Sequence, residues 1–174
     1  MNLSKIIRDV PDFPKPGIMF RDITPLFRDP AAFRYALDGL TDLLSEVEFE
    51  TFAAVESRGF LLAAPLADRL GKRLTILRKP GKLPADTVSE SYALEYGEAT
   101  LEVHRDGLCS DERVVIVDDL LATGGTAAAA ARLIRRLDAT LIGHLFLVEL
   151  AFLGGREALG EDPVFSLVIE GVQS

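Results

Sequence analysis

The chain has 174 residues and carries 19 basic against 27 acidic side chains, for a formal net charge of -8. That balance excludes a broad basic face for nucleic-acid phosphates, although a local cluster of Lys and Arg can still hold a small phosphorylated ligand. A chain of this length reads as a single domain over residues 1–174 that buries roughly 70% of its unfolded surface, so no metal or disulfide staple is required.

In chain order, Asp29 as N-cap, Pro30 in the first turn and the stripe Phe33, Leu37, Leu40, Leu44 predict a helix running to about Ser45. Thr51–Val55 reads as a strand, residues 56–59 as a turn, and 60–70 as a helix closed by Gly71. Pro65 sits inside that helix, which must therefore kink or begin later. A strand at 74–77 leads into Arg78, Lys79, Pro80, Gly81, Lys82, Leu83 and Pro84, expected to be a mobile basic loop. Residues 87–95 and 99–103 read as an antiparallel hairpin, 114–117 as a strand buried on both faces, and 127–137 as a helix. Strands at Thr140–Leu150 and 164–169 complete an α/β pattern with a largely parallel sheet, whose ligands bind beyond the carboxyl ends of the strands.

The single Cys109 permits no internal disulfide and, beside Leu108, is expected to be a small buried hydrophobe. His104 and His144 are far apart and lack cysteine partners, so both read as structural rather than as zinc ligands. No apolar run approaches the roughly 20 residues of a membrane helix, and the first residues contain no signal-peptide core; no membrane contact and a cytoplasmic location are expected.

The most informative stretch runs Val114, Val115, Ile116, Val117, Asp118, Asp119, Leu120, Leu121, Ala122, Thr123, Gly124, Gly125, Thr126. Two adjacent carboxylates at the end of a central strand need a cation, hydroxyls or a metal to meet them. Gly124 and Gly125 let backbone N–H groups converge, Thr123 and Thr126 add hydroxyls, and the following helix adds its positive end, which together make a phosphate cradle. The spacing is neither that of a Walker loop nor that of a dinucleotide motif, which removes ATP hydrolysis and hydride transfer.

This segment closely resembles the 5-phosphoribosyl 1-diphosphate (PRPP) motif of the type I phosphoribosyltransferases. The resemblance implies that fold: a mostly parallel central sheet flanked by helices, with a flexible hairpin lid over residues 78–104 and an N-terminal hood over residues 1–27. It also implies that Asp118 and Asp119 hold the ribose hydroxyls while Ala122, Thr123, Gly124, Gly125 and Thr126 wrap the 5-phosphate. The stretch from Pro11 to Leu26, with Phe13, Lys15, Met19, Phe20, Arg21 and Asp22, is similar to the N-terminal signature of the adenine phosphoribosyltransferase family. Glu-Ser-Arg-Gly-Phe from Glu56, the basic run from Arg78, and Ser-Tyr-Ala-Leu-Glu-Tyr-Gly from Ser91 agree with it.

By that resemblance Met19, Phe20, Arg21 and Leu150 would bind adenine, with Phe20 stacking on the base, and Arg58, Arg78, Lys79 and Lys82 would surround the diphosphate. Glu95 and Arg58 would be the catalytic residues. Magnesium would be the cofactor, bound mainly through PRPP and diphosphate, and a homodimer is implied, its apolar surface expected between Phe20 and Phe27. The implied reaction is adenine plus PRPP giving AMP and diphosphate. Two alternatives are a phosphoribosyltransferase for a 6-oxopurine, against which the N-terminal signature speaks, and a PRPP-binding regulator of nucleic acid, weakened by the acidic balance and the lack of an added helix-turn-helix domain.

Overall fold

The computed structural model describes residues 1–93 and 97–171. The N-terminal part places strands β1 (Arg8–Pro11) and β2 (Met19–Asp22) antiparallel, followed by the short helix α1 (Thr24–Arg28). These strands lack the alternation that marks a half-buried strand, because both lie largely at the surface.

Helix α2 (Pro30–Asp42) is capped as expected, the Asp29 carboxylate accepting from the Ala31 and Ala32 amides at 2.9 and 3.0 Å. Strand β3 (Thr51–Val55) leads into α3 (Arg58–Leu70), two residues earlier than the sequence suggests and continuous through Pro65. Leu62, Ala63, Leu66 and Ala67 all bury on one side of this helix, and that packing outweighs the hydrogen bond Pro65 cannot make. After β4 (Arg73–Leu77) comes the hairpin of β5 (Thr87–Ala93) and β6 (Glu98–His104), then β7 (Arg113–Leu121), α4 (Gly125–Arg136), β8 (Thr140–Leu150) and β9 (Val164–Glu170). Strand β7 extends beyond the expected 114–117, so Asp118 and Asp119 lie within it rather than after it.

The five central strands stand in the order β4-β3-β7-β8-β9, every neighbouring pair parallel. The all-buried β3 alternates between two cores. Phe52 and Ala54 join Val115, Val117, Leu145 and Leu147 under α2 and α3, while Ala53 and Val55 join Val114 and Ile116 under α4 and the hairpin. From β3 the chain steps outward on one side to β4, then returns to the other side at β7. The crossovers therefore diverge between β3 and β7, and a crevice opens at the carboxyl ends of those two strands.

Two expectations need correction. Cys109 is exposed: its amide donates to Glu112 Oε2 at 2.7 Å in a tight turn that directs Leu108 inward instead. Between Phe20 and Phe27 the apolar side chains Ile23 and Leu26 are buried in the chain's own core, and the large exposed hydrophobics lie elsewhere, Phe13, Met19, Leu61 and Phe152 among them.

His144, on β8, is fully buried beside Phe146, with Asp162 at 3.6 Å, too far for a hydrogen bond; Asp162 is itself paired with Arg135. Burial, only partly opposed by Asp162, pulls its pKa down from 6.5 to about 4. Unfolding releases the imidazole to take a proton, so the neutral buried ring contributes stability above pH 6.5 that is lost as pH falls towards 4. Replacing His144 with Leu should flatten the pH dependence of urea unfolding across that window, by at most about 3 kcal/mol; an unchanged slope would show that this ring does not titrate on unfolding.

Candidate active site

Three segments meet at the crevice. The turn after β3 supplies Glu56 and Ser57 and starts α3 at Arg58. The end of β7 supplies Asp118 and Asp119, and β2 brings Phe20. Arg58 Nε donates to Asp119 Oδ2 at 2.5 Å, and its guanidinium carbon lies 5.4 Å from the centre of the Phe20 ring, which Phe13 meets edge-on at 5.1 Å. Close approach of α3 to β7 depends on Gly59, where a side-chain carbon would sit 2.7 Å from the Val117 carbonyl oxygen and 3.3 Å from Asp118 Oδ1.

Asp119 is buried, and its amide donates to Asp118 Oδ1 at 2.8 Å. Burial first, and the adjacent Asp119 carboxylate second, push the Asp118 carboxyl well above the usual range, with Arg58 only partly opposing them. Burial works against the Arg58 charge, but Asp119, Asp118 and Asp22 outweigh it and leave that guanidinium pKa raised.

The next turn is Ala122, Thr123 and Gly124, with Gly124 at φ +82° and α4 beginning at Gly125. Thr123 is exposed and Thr126 half-buried. Thr126 Oγ1 lies 3.1 Å from the Tyr92 hydroxyl on β5, so the hairpin touches the turn directly. Farther along, Glu90 accepts from Arg132 at 2.5 Å and Arg136 at 3.2 Å, fastening β5 to α4.

The loop cations have a partner that the sequence did not reveal. Glu56 accepts from Lys82 Nζ at 2.6 Å, the Lys79 amide at 2.9 Å and Arg78 Nε at 3.2 Å. The Lys79 side chain is exposed. Arg58 and the Arg78–Lys82 group thus flank the same turn, one on Asp119 and the other on Glu56.

On the base side, Met19 is exposed and Phe20 half-buried. Arg21 is engaged by Asp9 and, at 2.8 Å, by Glu170, so its guanidinium belongs to a charge cluster linking the N-terminal hairpin to β9. Leu150, the last residue of β8, is 5% exposed and packs in the core under α2 and α3. Glu95 lies outside the described residues. Glu56 and Tyr92 stand in segments that agree with the family, yet the sequence assigns neither a role, because their partners lie tens of residues away.

Burial alone would raise the Glu56 pKa, but Lys82, the Lys79 amide and Arg78 together bring it down from 4.5 to about 2. The ionised carboxylate therefore contributes stability above pH 4.5 that is lost as pH falls through about 2. In Glu56→Gln this acid-dependent part should vanish, seen as a smaller difference in urea midpoint between the two ends of that range than in the wild type. Equal differences would mean that the three contacts do not hold the carboxylate in solution.

Residues 35–165 match the family described as phosphoribosyl transferase domain. An adenine phosphoribosyltransferase of Synechococcus sp. is 55% identical, the alignment covering 97% of this chain and 98% of that protein. The crystal structure of adenine phosphoribosyltransferase from Thermoanaerobacter pseudethanolicus superposes with a TM-score of 0.94 at 50% identity, covering 96% of this chain and 97% of that one. The Saccharomyces cerevisiae enzyme, solved with adenine and an imino-altritol bisphosphate, gives 0.88 at 40% identity, over 95% and 96% of the two chains. Similarity of this degree, sustained along nearly the whole of both sequences and through the strand, loop and helix that carry the paired aspartates, means that the chain belongs to the adenine phosphoribosyltransferases of the type I phosphoribosyltransferase family.

Proposed function

We propose that the chain transfers the 5-phosphoribosyl group of PRPP to adenine, giving AMP and diphosphate in purine salvage. The observation that carries this reading is the strand, Asp118–Asp119 pair, Thr-Gly-Gly-Thr turn and helix set at the point where the crossovers diverge. The adenine bound to the similar yeast enzyme supports the choice of base.

In the reaction, adenine N9 forms a bond to the anomeric carbon as the bond from that carbon to diphosphate breaks. The electron pair leaves with the diphosphate, and the proton lost from N9 passes to the departing diphosphate or to solvent. Charge builds on the leaving group while the sugar becomes cationic, so fixed cations at the diphosphate and exclusion of water supply most of the acceleration. Arg58, Arg78, Lys79 and Lys82 take the first task in this reading. Asp118 and Asp119 accept from the ribose hydroxyls, and Ala122, Thr123, Gly124, Gly125 and Thr126 hold the 5-phosphate. Met19, Phe20 and Leu150 form the base slot. Arg21 supports that slot from behind through Asp9 and Glu170. Glu95, with Arg58, is a catalytic residue in this reading, a role taken from the family resemblance. Residues 1–27 act as the hood and 78–104 as the lid of one domain.

Magnesium belongs to the same proposal. Among the described residues no three His, Cys, Asp or Glu side chains are grouped to hold an ion. Asp118 and Asp119 offer hard oxygen donors, and magnesium commonly completes such partial sets with water and substrate phosphates. When bound, it would neutralise charge on the diphosphate. A homodimer and a cytoplasmic setting are also part of this reading, the dimer from the family resemblance; no described helix is long and apolar enough to cross a membrane. A sedimentation mass near 18.9 kDa would count against the dimer.

The deciding experiment gives the purified protein PRPP, magnesium and a panel of adenine, hypoxanthine, guanine, xanthine, uracil and orotate. Adenine should be the only good substrate; equal turnover with hypoxanthine or guanine would replace this reading with the 6-oxopurine one, and no turnover with any base would favour the regulator. Thr123→Ala and Thr126→Ala should each weaken PRPP binding by roughly 10- to 150-fold in calorimetry, the loss of one charge-assisted hydrogen bond. Asp118→Asn and Asp119→Asn should each lower kcat/KM, Asp119→Asn the more because it also removes the charge that meets Arg58. If both variants keep the wild-type kcat/KM, the ribose-binding role is wrong.

A further inference from the structure

The turn at residues 122–126 rests on a second loop, between β8 and β9, that contains the short 3-10 turns Ala151–Leu153 and Glu157–Leu159. A side-chain carbon on Gly155 would lie 2.3 Å from the Ala122 carbonyl oxygen, and one on Gly124 would lie 2.4 Å from the Gly155 carbonyl oxygen. The nearest atoms are backbone on both sides, with the Leu121 side chain and the Ala158 Cβ packed beside them, so a displacement of Gly155 passes directly into the turn.

The next residue fixes Gly155 in place. Arg156 donates from Nε to Glu149 Oε1 and from Nη2 to Glu149 Oε2, both at 2.7 Å, and from Nη1 to the Val164 carbonyl at 3.4 Å. Glu149, near the end of β8, is only 3% exposed. Two parallel bonds between a planar guanidinium and a carboxylate set orientation as well as distance. On the other side of Gly155, Leu159 is buried with Leu121 and Ala127, which bracket the turn in β7 and α4, and with Phe146 of β8.

We propose that Arg156 and Glu149 are positioning residues for the 5-phosphate of PRPP, their bidentate pair holding Gly155 against Ala122 and Gly124 and so setting the curvature of the phosphate turn. This deepens the reading of residues 122–126 as the PRPP site and rests on it. Neither side chain belongs to the groups assigned to the sugar, the diphosphate or the base.

The test is calorimetric titration of PRPP with magnesium into the full chain and its Arg156→Lys, Arg156→Ala and Gly155→Ala variants, alongside KM for adenine at saturating PRPP. Dissociation constants should rise from wild type through Arg156→Lys, which can make only one of the two bonds, to Arg156→Ala at about tenfold, with the adenine KM held within about twofold. Gly155→Ala, which forces the two loops apart and leaves the ion pair in place, should match Arg156→Ala. Should Arg156→Ala fail to fold, Arg156→Lys carries the comparison. If the adenine KM rises in parallel with the PRPP constant, the pair only stabilises the molecule at large and the proposal is overturned. Wild-type protein that binds PRPP while all variants bind it equally well also overturns it, and wild-type protein that binds no PRPP removes the functional reading and this proposal together.

Discussion

The contact between Arg58 and Asp119 joins two chain segments separated by sixty-one positions, at the ends of neighbouring central strands. A pair of adjacent carboxylates in a buried strand would be costly without a cation, and α3 delivers one from its first turn. That delivery needs β3 and β7 to be neighbours, the crossovers to diverge there, and Gly59 to let the helix approach the strand. Remove any of these and the carboxylates lose their counter-charge, the ring of Phe20 loses the guanidinium beside it, and the crevice loses its floor.

Around this contact charge is balanced locally, in a molecule that carries -8 as a whole. Glu56 gathers Lys82 and Arg78, Glu90 gathers Arg132 and Arg136, and Glu149 holds Arg156. Each links segments distant in the chain or orients a loop, and the more buried partner is the carboxylate. Their value lies less in net stability than in fixing which backbone lies beside which, since an unpaired carboxylate in these places would be strongly disfavoured.

How much of this could be read from the chain varied with the range of the interaction. Asp29 and Pro30 announce α2 because a cap acts within three residues, and Asp118 through Thr126 announce the turn because strand, acids, glycines and threonines are contiguous. The parallel sheet follows from strands alternating with helices. Glu56 remained hidden because its meaning lies in Lys82, and Tyr92 because its meaning lies in Thr126. Pro65 suggested a kink or a later start, whereas α3 starts earlier, at Arg58, and runs on past the proline with four buried neighbours holding it to the core. Cys109 misled because burial was judged from Leu108 beside it, whereas a turn at that point sends adjacent side chains in opposite directions. The β1–β2 hairpin gave no periodic signal since neither face is core. Gly155 looked like an ordinary loop glycine, its role visible only once Ala122 lies against it.

That N-terminal hairpin is attached differently from the rest. Ile23 and Leu26 anchor its base in the core, but the strands themselves are tied by Arg8 to Asp22 at 2.5 Å, by Arg21 to Asp9, and by Arg21 to Glu170 on the edge strand β9. Ions screen such pairs over a distance of about 8 Å at physiological ionic strength, most strongly where one partner lies open to solvent, as Arg8 and Asp9 do, and less between the half-buried Arg21 and Glu170, whereas buried apolar contacts are not screened. Ionic strength therefore acts unevenly on the molecule. Added salt should weaken the side-chain ties of the β1–β2 hairpin before it touches the apolar core, leaving the backbone ladder between the two strands and the edge-on contact of Phe13 with Phe20 to hold them.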